Sequence, residues 1–93
     1  MLKVNEYFDG RVKSIALENE EGKATIGVME AGEYEFGTAT EEEMTVVSGS
    51  MRVLLPGETR WQTFSMSEVF IVQANQTFRL RIEKACAYKC IYR

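Results

Sequence analysis

FGTATEEEMTVVSGSMRVLLP, residues 36–56, decides the fold. Val46-Val47 and Val53-Leu54-Leu55 are short runs of the branched residues that suit a pleated, half-buried surface, so each predicts a strand. Ser48-Gly49-Ser50 between them predicts a tight hairpin connection. Pro56 closes the second strand, because proline brings no N–H to a ladder. Glu41-Glu42-Glu43 forms an acidic turn at the entrance. Glu42 stands seven residues ahead of Gly49, and this is the most informative spacing in the chain.

Upstream of that stretch, Met1–Asp9 reads as an N-terminal arm whose Tyr7-Phe8 pair packs on the body or on a partner subunit. Arg11–Leu17 alternates between Val12, Ser14, Ala16 on one face and Lys13, Ile15, Leu17 on the other, the signature of a strand. Glu18–Gly22 is a charged turn. Lys23–Glu30 is a second strand, and Gly27 inside it marks a bulge or a close approach of another group. In Glu33–Thr38, Tyr34, Phe36 and Thr38 share a face opposite Glu33 and Glu35.

Downstream, Trp61–Phe64 is a short strand, and the unbroken apolar run Val69–Val72 predicts a strand buried on both sides. Gln73-Ala74-Asn75 is a turn. Gln76, Phe78, Leu80 and Ile82 then face one way, with Arg79 and Arg81 opposite, facing out. Cys86, Tyr88, Cys90 and Tyr92 form the last alternating row. Many short strands at close turn spacing, with no helical period, indicate an all-β barrel or sandwich.

The chain has 93 residues, enough for one domain over residues 1–93 and one modest core. Fourteen acidic against eleven basic residues leave a net charge of −3, which gives no general attraction to nucleic acid. No apolar run reaches membrane-span length and the first residues do not read as a signal peptide, so a cytoplasmic location is expected and no membrane partner. Cys86 and Cys90 in an extended segment have Cα atoms about 13 Å apart, too far for a disulfide. They read as two buried thiols on one side. The sequence contains no histidine, which removes the usual general base, the serine–histidine triad and any Cys/His zinc site.

The element order resembles a small cupin, a jelly-roll β-barrel with two signature segments. Glu42 and Gly49 keep the glutamate-to-glycine half of the first segment. Phe36 and Thr38 stand where that family has histidines, and Phe78 takes the place of the histidine of the second. A lone Glu42 is not a transition-metal site, so no metal is expected. A narrower resemblance covers nearly the whole chain. Asn5-Glu6-Tyr7-Phe8, Gly32-Glu33-Tyr34, Glu42–Val46, Ser48-Gly49, Val53–Pro56, Trp61 and Tyr88-x-Cys90 are similar to the pyrimidine/purine nucleoside phosphorylase family. Gln73 and Ala74 depart from it, replacing a proline and a glycine.

That resemblance implies a single cupin-type barrel, a homodimer, and phosphorolysis of diverse purine and pyrimidine nucleosides to free base and α-D-ribose 1-phosphate. Inorganic phosphate is then a co-substrate and no cofactor is needed. In this frame Glu42 is the catalytic candidate, its carboxylate turned to the ribose or to an oxocarbenium-like centre. The plainer reading makes it a solvated turn residue. Tyr34, Phe36 and Phe78 are candidates for stacking on the base, or plain core aromatics. Thr38 and Gln76 offer hydrogen bonds to sugar and base. Arg52, ahead of Lys13, is the candidate for phosphate, although strand cations are most often solvated. The competing function is a non-catalytic barrel that binds or senses a small molecule.

Overall fold

The computed structural model describes residues 1–93. Its elements are all strands: β1 (Val4–Tyr7), β2 (Val12–Asn19), β3 (Gly22–Met29), β4 (Gly32–Gly37), β5 (Glu42–Ser48), β6 (Ser50–Leu54), β7 (Gln62–Ser65), β8 (Val69–Val72), β9 (Thr77–Ile82) and β10 (Cys86–Tyr92). They form a six-stranded sheet, ordered β1-β2-β3-β10-β5-β8, and a four-stranded sheet, ordered β4-β9-β6-β7. Every pairing is antiparallel. The inner faces meet in one core of 15 buried residues. Met29, Met44, Val46 and Val72 come from the larger sheet, and Met51, Val53, Leu80 and Ile82 from the smaller. This is a jelly-roll sandwich whose two sheets are not hydrogen-bonded into a closed barrel.

The predicted hairpin at Ser48-Gly49-Ser50 is a corner instead. β5 pairs with β10 and β8, while β6 pairs with β9 and β7 in the other sheet. The apolar alternation is the reason. Met44 and Val46 of β5 and Met51 and Val53 of β6 are all buried, and both rows reach the core only if the strands face each other across it. Gly49 makes the crossing with φ of +83°. A Cβ there would meet Cys86 Cβ at 3.1 Å and the Ala85 carbonyl oxygen at 3.3 Å. Backbone conformation and space both require glycine.

The Val69–Val72 run is likewise covered on one side only. β8 is the edge of the six-stranded sheet; Phe70 and Val72 are buried, whereas Val69 and Ile71 face out. The N-terminal arm behaves as its composition suggests. β1 pairs with β2 in register from Val4↔Ile15 to Tyr7↔Val12. Phe8 then packs on Tyr34 and Phe36, with ring centroids 5.0 and 5.4 Å away. Phe8, Asp9 and Gly10 all take positive φ there, a strained turn that the aromatic cluster holds in place.

Candidate active site

Between the two sheets lies a cavity of about 180 Å³, walled by residues of β1–β5, β9 and β10. Strand alternation chooses its lining. Glu42 and Met44 are inward positions of β5, and Tyr88, Cys90 and Tyr92 are inward positions of β10. Phe36 and Phe78 sit opposite each other in the β4–β9 register and stack at 5.9 Å with 28° between ring planes. Both line the cavity. Two of the three positions at which the cupin pattern carries histidines, Phe36 and Phe78, thus form an aromatic wall, and Glu42 stands in the same cavity.

The three consecutive glutamates have three fates. Glu41 is half-buried but stays outside the cavity lining, and its carbonyl accepts the backbone N–H of Arg93 at 2.9 Å. Glu43 is ion-paired to Arg93 Nη2 at 3.1 Å. Glu42 alone enters the cavity, where its Oε1 accepts the Cys90 thiol at 3.4 Å. Burial raises its pKa above the ordinary carboxylate value, and the thiol hydrogen bond opposes that rise. No arginine or lysine lines the cavity, so nothing cationic offsets the desolvation.

Burial favours the neutral, proton-bearing forms of Tyr88, Cys90 and Tyr92. Burial pushes the Tyr88 phenol up to about 12, against a hydrogen bond with Ser14 that pulls it down. It also raises Cys90, which the Glu42 charge raises further. Tyr92 rises for the same first reason, while a hydrogen bond with Thr25 opposes it; the two hydroxyls lie 3.1 Å apart. With Tyr7 and Ser14, the cavity therefore presents several O–H and S–H donors around one carboxylate.

The remaining candidates are placed elsewhere. Thr38 is buried but outside the lining. Its hydroxyl donates to the Gln73 carbonyl at 2.7 Å and accepts the Gln76 N–H at 3.0 Å. It therefore clamps the Gln73–Gln76 turn and has no proton to spare for a ligand. Gln76 is exposed in that turn. Tyr34 is a core residue whose phenol donates to the Glu30 carbonyl at 2.7 Å. Lys13 points to the outer face and pairs with Glu6 at 3.3 Å. Arg52 also faces out, opposite Arg81 in the β6–β9 register. Neither cation reaches the cavity. Their parity already said so: Lys13 alternates with buried Val12 and Ser14, and Arg52 with buried Met51 and Val53. Arg79 and Arg81 face out as expected, over the Trp61 ring at 5.7 and 4.1 Å.

Tyr7, Ser14, Tyr88, Cys90 and Tyr92 line the site without having been singled out as ligand residues. The period-two row Cys86-Tyr88-Cys90-Tyr92 was the available signal, together with Gly27. A Cβ on Gly27 would collide with Tyr88 Cζ, so the glycine marks where that ring crosses β3. As for a metal, one carboxylate and one thiol with no imidazole do not fit a transition-metal site. No three Cys, Asp or Glu side chains cluster anywhere in the fold in a way that would hold an ion.

A hollow between the sheets of a jelly roll is the arrangement of a cupin-type protein. An RmlC-like cupin of Shewanella frigidimarina superposes with a TM-score of 0.75 at 18% identity, covering 96% of this chain and 80% of that one. At that identity the likeness is of fold alone. The profile of the pyrimidine/purine nucleoside phosphorylase family matches residues 2–92, and the chain belongs to that family. A protein of Pseudomonas syringae pv. tomato named pyrimidine/purine nucleoside phosphorylase is 59% identical over 93 residues, the full length of both chains. A crystal structure of a Vibrio parahaemolyticus protein, described as of unknown function, has a TM-score of 0.93 at 43% identity and covers 97% of this chain and 96% of that one.

Proposed function

We propose that this protein is a nucleoside phosphorylase, a pentosyltransferase of broad specificity that converts purine and pyrimidine nucleosides plus phosphate to free base and α-D-ribose 1-phosphate. The observation that carries it is the placement of Glu42, a half-buried carboxylate among apolar and phenolic walls, in a chain matched over its full length by relatives bearing that name.

In phosphorolysis a phosphate oxygen attacks the anomeric carbon as the C–N bond breaks, and the departing base takes the bonding electrons and acquires a proton. The ribosyl centre is transiently cationic. A fixed carboxylate in a low-dielectric cavity stabilises that charge more strongly than water does. Phe36 and Phe78 offer an aromatic face that any base can meet, which suits broad base tolerance. The phenols Tyr7, Tyr88 and Tyr92 supply donors for phosphate oxygens or for the leaving base. The cavity is smaller than the roughly 300–1,000 Å³ of typical ligand clefts. A nucleoside therefore fills it with one end, and phosphate meets the sugar at the side of Tyr7 and Tyr92, the more exposed phenols. No metal or organic cofactor takes part in this scheme.

The absence of any lining cation, where a phosphate is to bind, favours one other reading: a barrel that binds a neutral small molecule without turning it over. Incubation with a panel of purine and pyrimidine nucleosides, with and without phosphate, separates the two. Base release that requires phosphate and yields pentose 1-phosphate supports the phosphorylase. Saturable binding with no release under either condition overturns it.

A further inference from the structure

We propose that Cys90 is a positioning residue for Glu42: its thiol holds one carboxylate oxygen against β10 and so leaves the other directed at the substrate. The inference rests on Glu42 acting on the sugar, and it names the group that sets the carboxylate's orientation.

The register builds the pair. Glu42 lies directly across from Tyr92 in the β5–β10 ladder, and Cys90 is across from Met44, one inward position further in. The Cys90 side chain thus sits beside Glu42 deeper in the sandwich, 2% exposed, and reaches Oε1 at 3.4 Å. This thiol is the one hydrogen-bond donor to Glu42 in the structure. The titratable groups that share the cavity with Glu42 are Tyr7 from β1 and Tyr88, Cys90 and Tyr92 from β10; β4 and β9 present only Phe36, Gly37 and Phe78. None is cationic, and Tyr92 is engaged with Thr25.

In a half-buried carboxylate with no cation and a single donor, burial dominates the charge while that donor opposes the effect of burial and sets the rotamer. The thiol stays protonated because burial and the Glu42 charge both raise Cys90. It is therefore a standing S–H donor and not a nucleophile. A thiol is a weak donor, so it restrains the carboxylate while stabilising the ionised form only modestly. Oε2 keeps its lone pairs for the ribose or the cationic centre.

The test compares Cys90→Ala and Cys90→Ser with the wild type by two readouts. In the first, the Glu42 side-chain carbonyl is followed by carbon NMR as pH is raised, with Glu42→Gln assigning the signal. Removing the donor in Cys90→Ala raises the Glu42 midpoint by roughly half a unit to one unit. Cys90→Ser restores a hydroxyl donor and returns the midpoint to the wild-type value or below. In the second, the acidic limb of kcat/KM for phosphorolysis moves in the same direction, and kcat of Cys90→Ala falls by about 10–10²-fold with little change in KM. Ionisation of phosphate itself enters all three profiles equally.

An unchanged Glu42 midpoint in folded Cys90→Ala overturns the assignment. So does an equal loss of activity in the alanine and serine variants without a moved limb, because that is the mark of packing alone. If the midpoint moves as expected but the wild type releases no base, Cys90 still orients Glu42 and the phosphorylase reading is the part that fails.

Discussion

Tyr88 reaches across Gly27 toward Ser14, so that one rung spanning β10, β3 and β2 carries a phenol, a gap and a hydroxyl. The register places Tyr88 opposite Gly27 and Gly27 opposite Ser14. The ring occupies the volume a Cβ on Gly27 would need. Ser14 accepts from Asn5 Nδ2 at 3.4 Å on its other side, which ties the rung to β1. The glycine is there for space: its φ is not among the positive values of the chain.

Gly27→Ala therefore acts on the cavity before it acts on the fold. The atoms in the way are the far end of the Tyr88 ring, which swings into the cavity beside it. The expected stability loss is about 1–3 kcal/mol, typical of overpacking, while KM for nucleoside rises steeply. Thermal melts and KM measured on the same preparation check this. Unchanged KM would show that Tyr88 does not shape the binding volume.

Thr38 makes the contrasting case. It occupies a position where the cupin pattern carries a histidine, yet its hydroxyl is spent on the Gln73 and Gln76 backbone. This is the turn that carries Gln73 and Ala74. Asn75 holds it with φ of 60°, and its N–H bonds the Thr38 carbonyl at 2.9 Å. Thr38→Val keeps the shape and removes the hydroxyl, so the Gln73 carbonyl and the Gln76 N–H of an exposed turn lose this partner. The cost is about 0.5–1.5 kcal/mol, read as a lower denaturation midpoint. The folded fraction keeps its kcat; a large kcat loss at full folding would give Thr38 a direct role.

Why some of this was legible in the sequence and some was not has a physical basis. Glu42, Phe36 and Phe78 were placed together because a motif spacing fixes which face of a strand they share, and the structure stacks the two rings beside that carboxylate. The Tyr88-Cys90-Tyr92 row was visible as a row. A two-residue period says that side chains share a face, however, and not which cavity the face borders. Ser48-Gly49-Ser50 misled because a hairpin and a sheet-to-sheet corner draw on the same turn residues. Only the pairing partners, far away in sequence, tell them apart. Val69–Val72 misled because an unbroken apolar run does not reveal that its outer half lies on an uncovered sheet face.

That outer face leads to the next expectation, a homodimer. Val4, Ile15 and Ile26 form one cross-strand row through β1, β2 and β3, with Val28 and Leu17 beside it, all exposed. The basic side chains around the row are neutralised within the chain: Lys13 by Glu6 at 3.3 Å and Lys89 by Glu21 at 2.8 Å. An apolar centre with a charge-balanced rim suits a second copy of the same face about a twofold axis. Light scattering is expected to give twice the 10.6 kDa chain mass, and Ile26→Glu to reduce it to one. A dimer that survives Ile26→Glu moves the interface to another surface, and a monomeric wild type removes it.

Turnover is expected to survive exhaustive chelation. The cavity offers an ion one carboxylate and one thiol whose proton is held on by burial, a donor set too poor to retain a transition metal. Loss of activity on chelation, restored by one added metal, would sink this.

Glu42→Gln separates function from stability most sharply. The substitution keeps the shape and a hydrogen-bonding oxygen for Cys90 but removes the charge facing the sugar. Turnover is expected to fall by about 10²–10³-fold, the scale for losing an electrostatic partner of the transition state. Stability moves the other way. Burial raises the folded-state pKa of Glu42 above its ordinary 4.5, so the folded protein holds this proton more tightly than the unfolded chain. The group's favourable contribution is then complete below the unfolded pKa and is lost as pH climbs through the raised folded value. At neutral pH the ionised carboxylate is a net cost, and Glu42→Gln melts at the same temperature as the wild type or higher, with the difference vanishing in acid. Glu41→Gln is the control: that side chain lies outside the cavity lining and its replacement leaves both turnover and melting nearly unchanged. A Glu42→Gln variant that melts lower and keeps its rate would return Glu42 to a structural role, whereas equal rate losses at both positions would make the acidic cluster a diffuse field with no directed carboxylate.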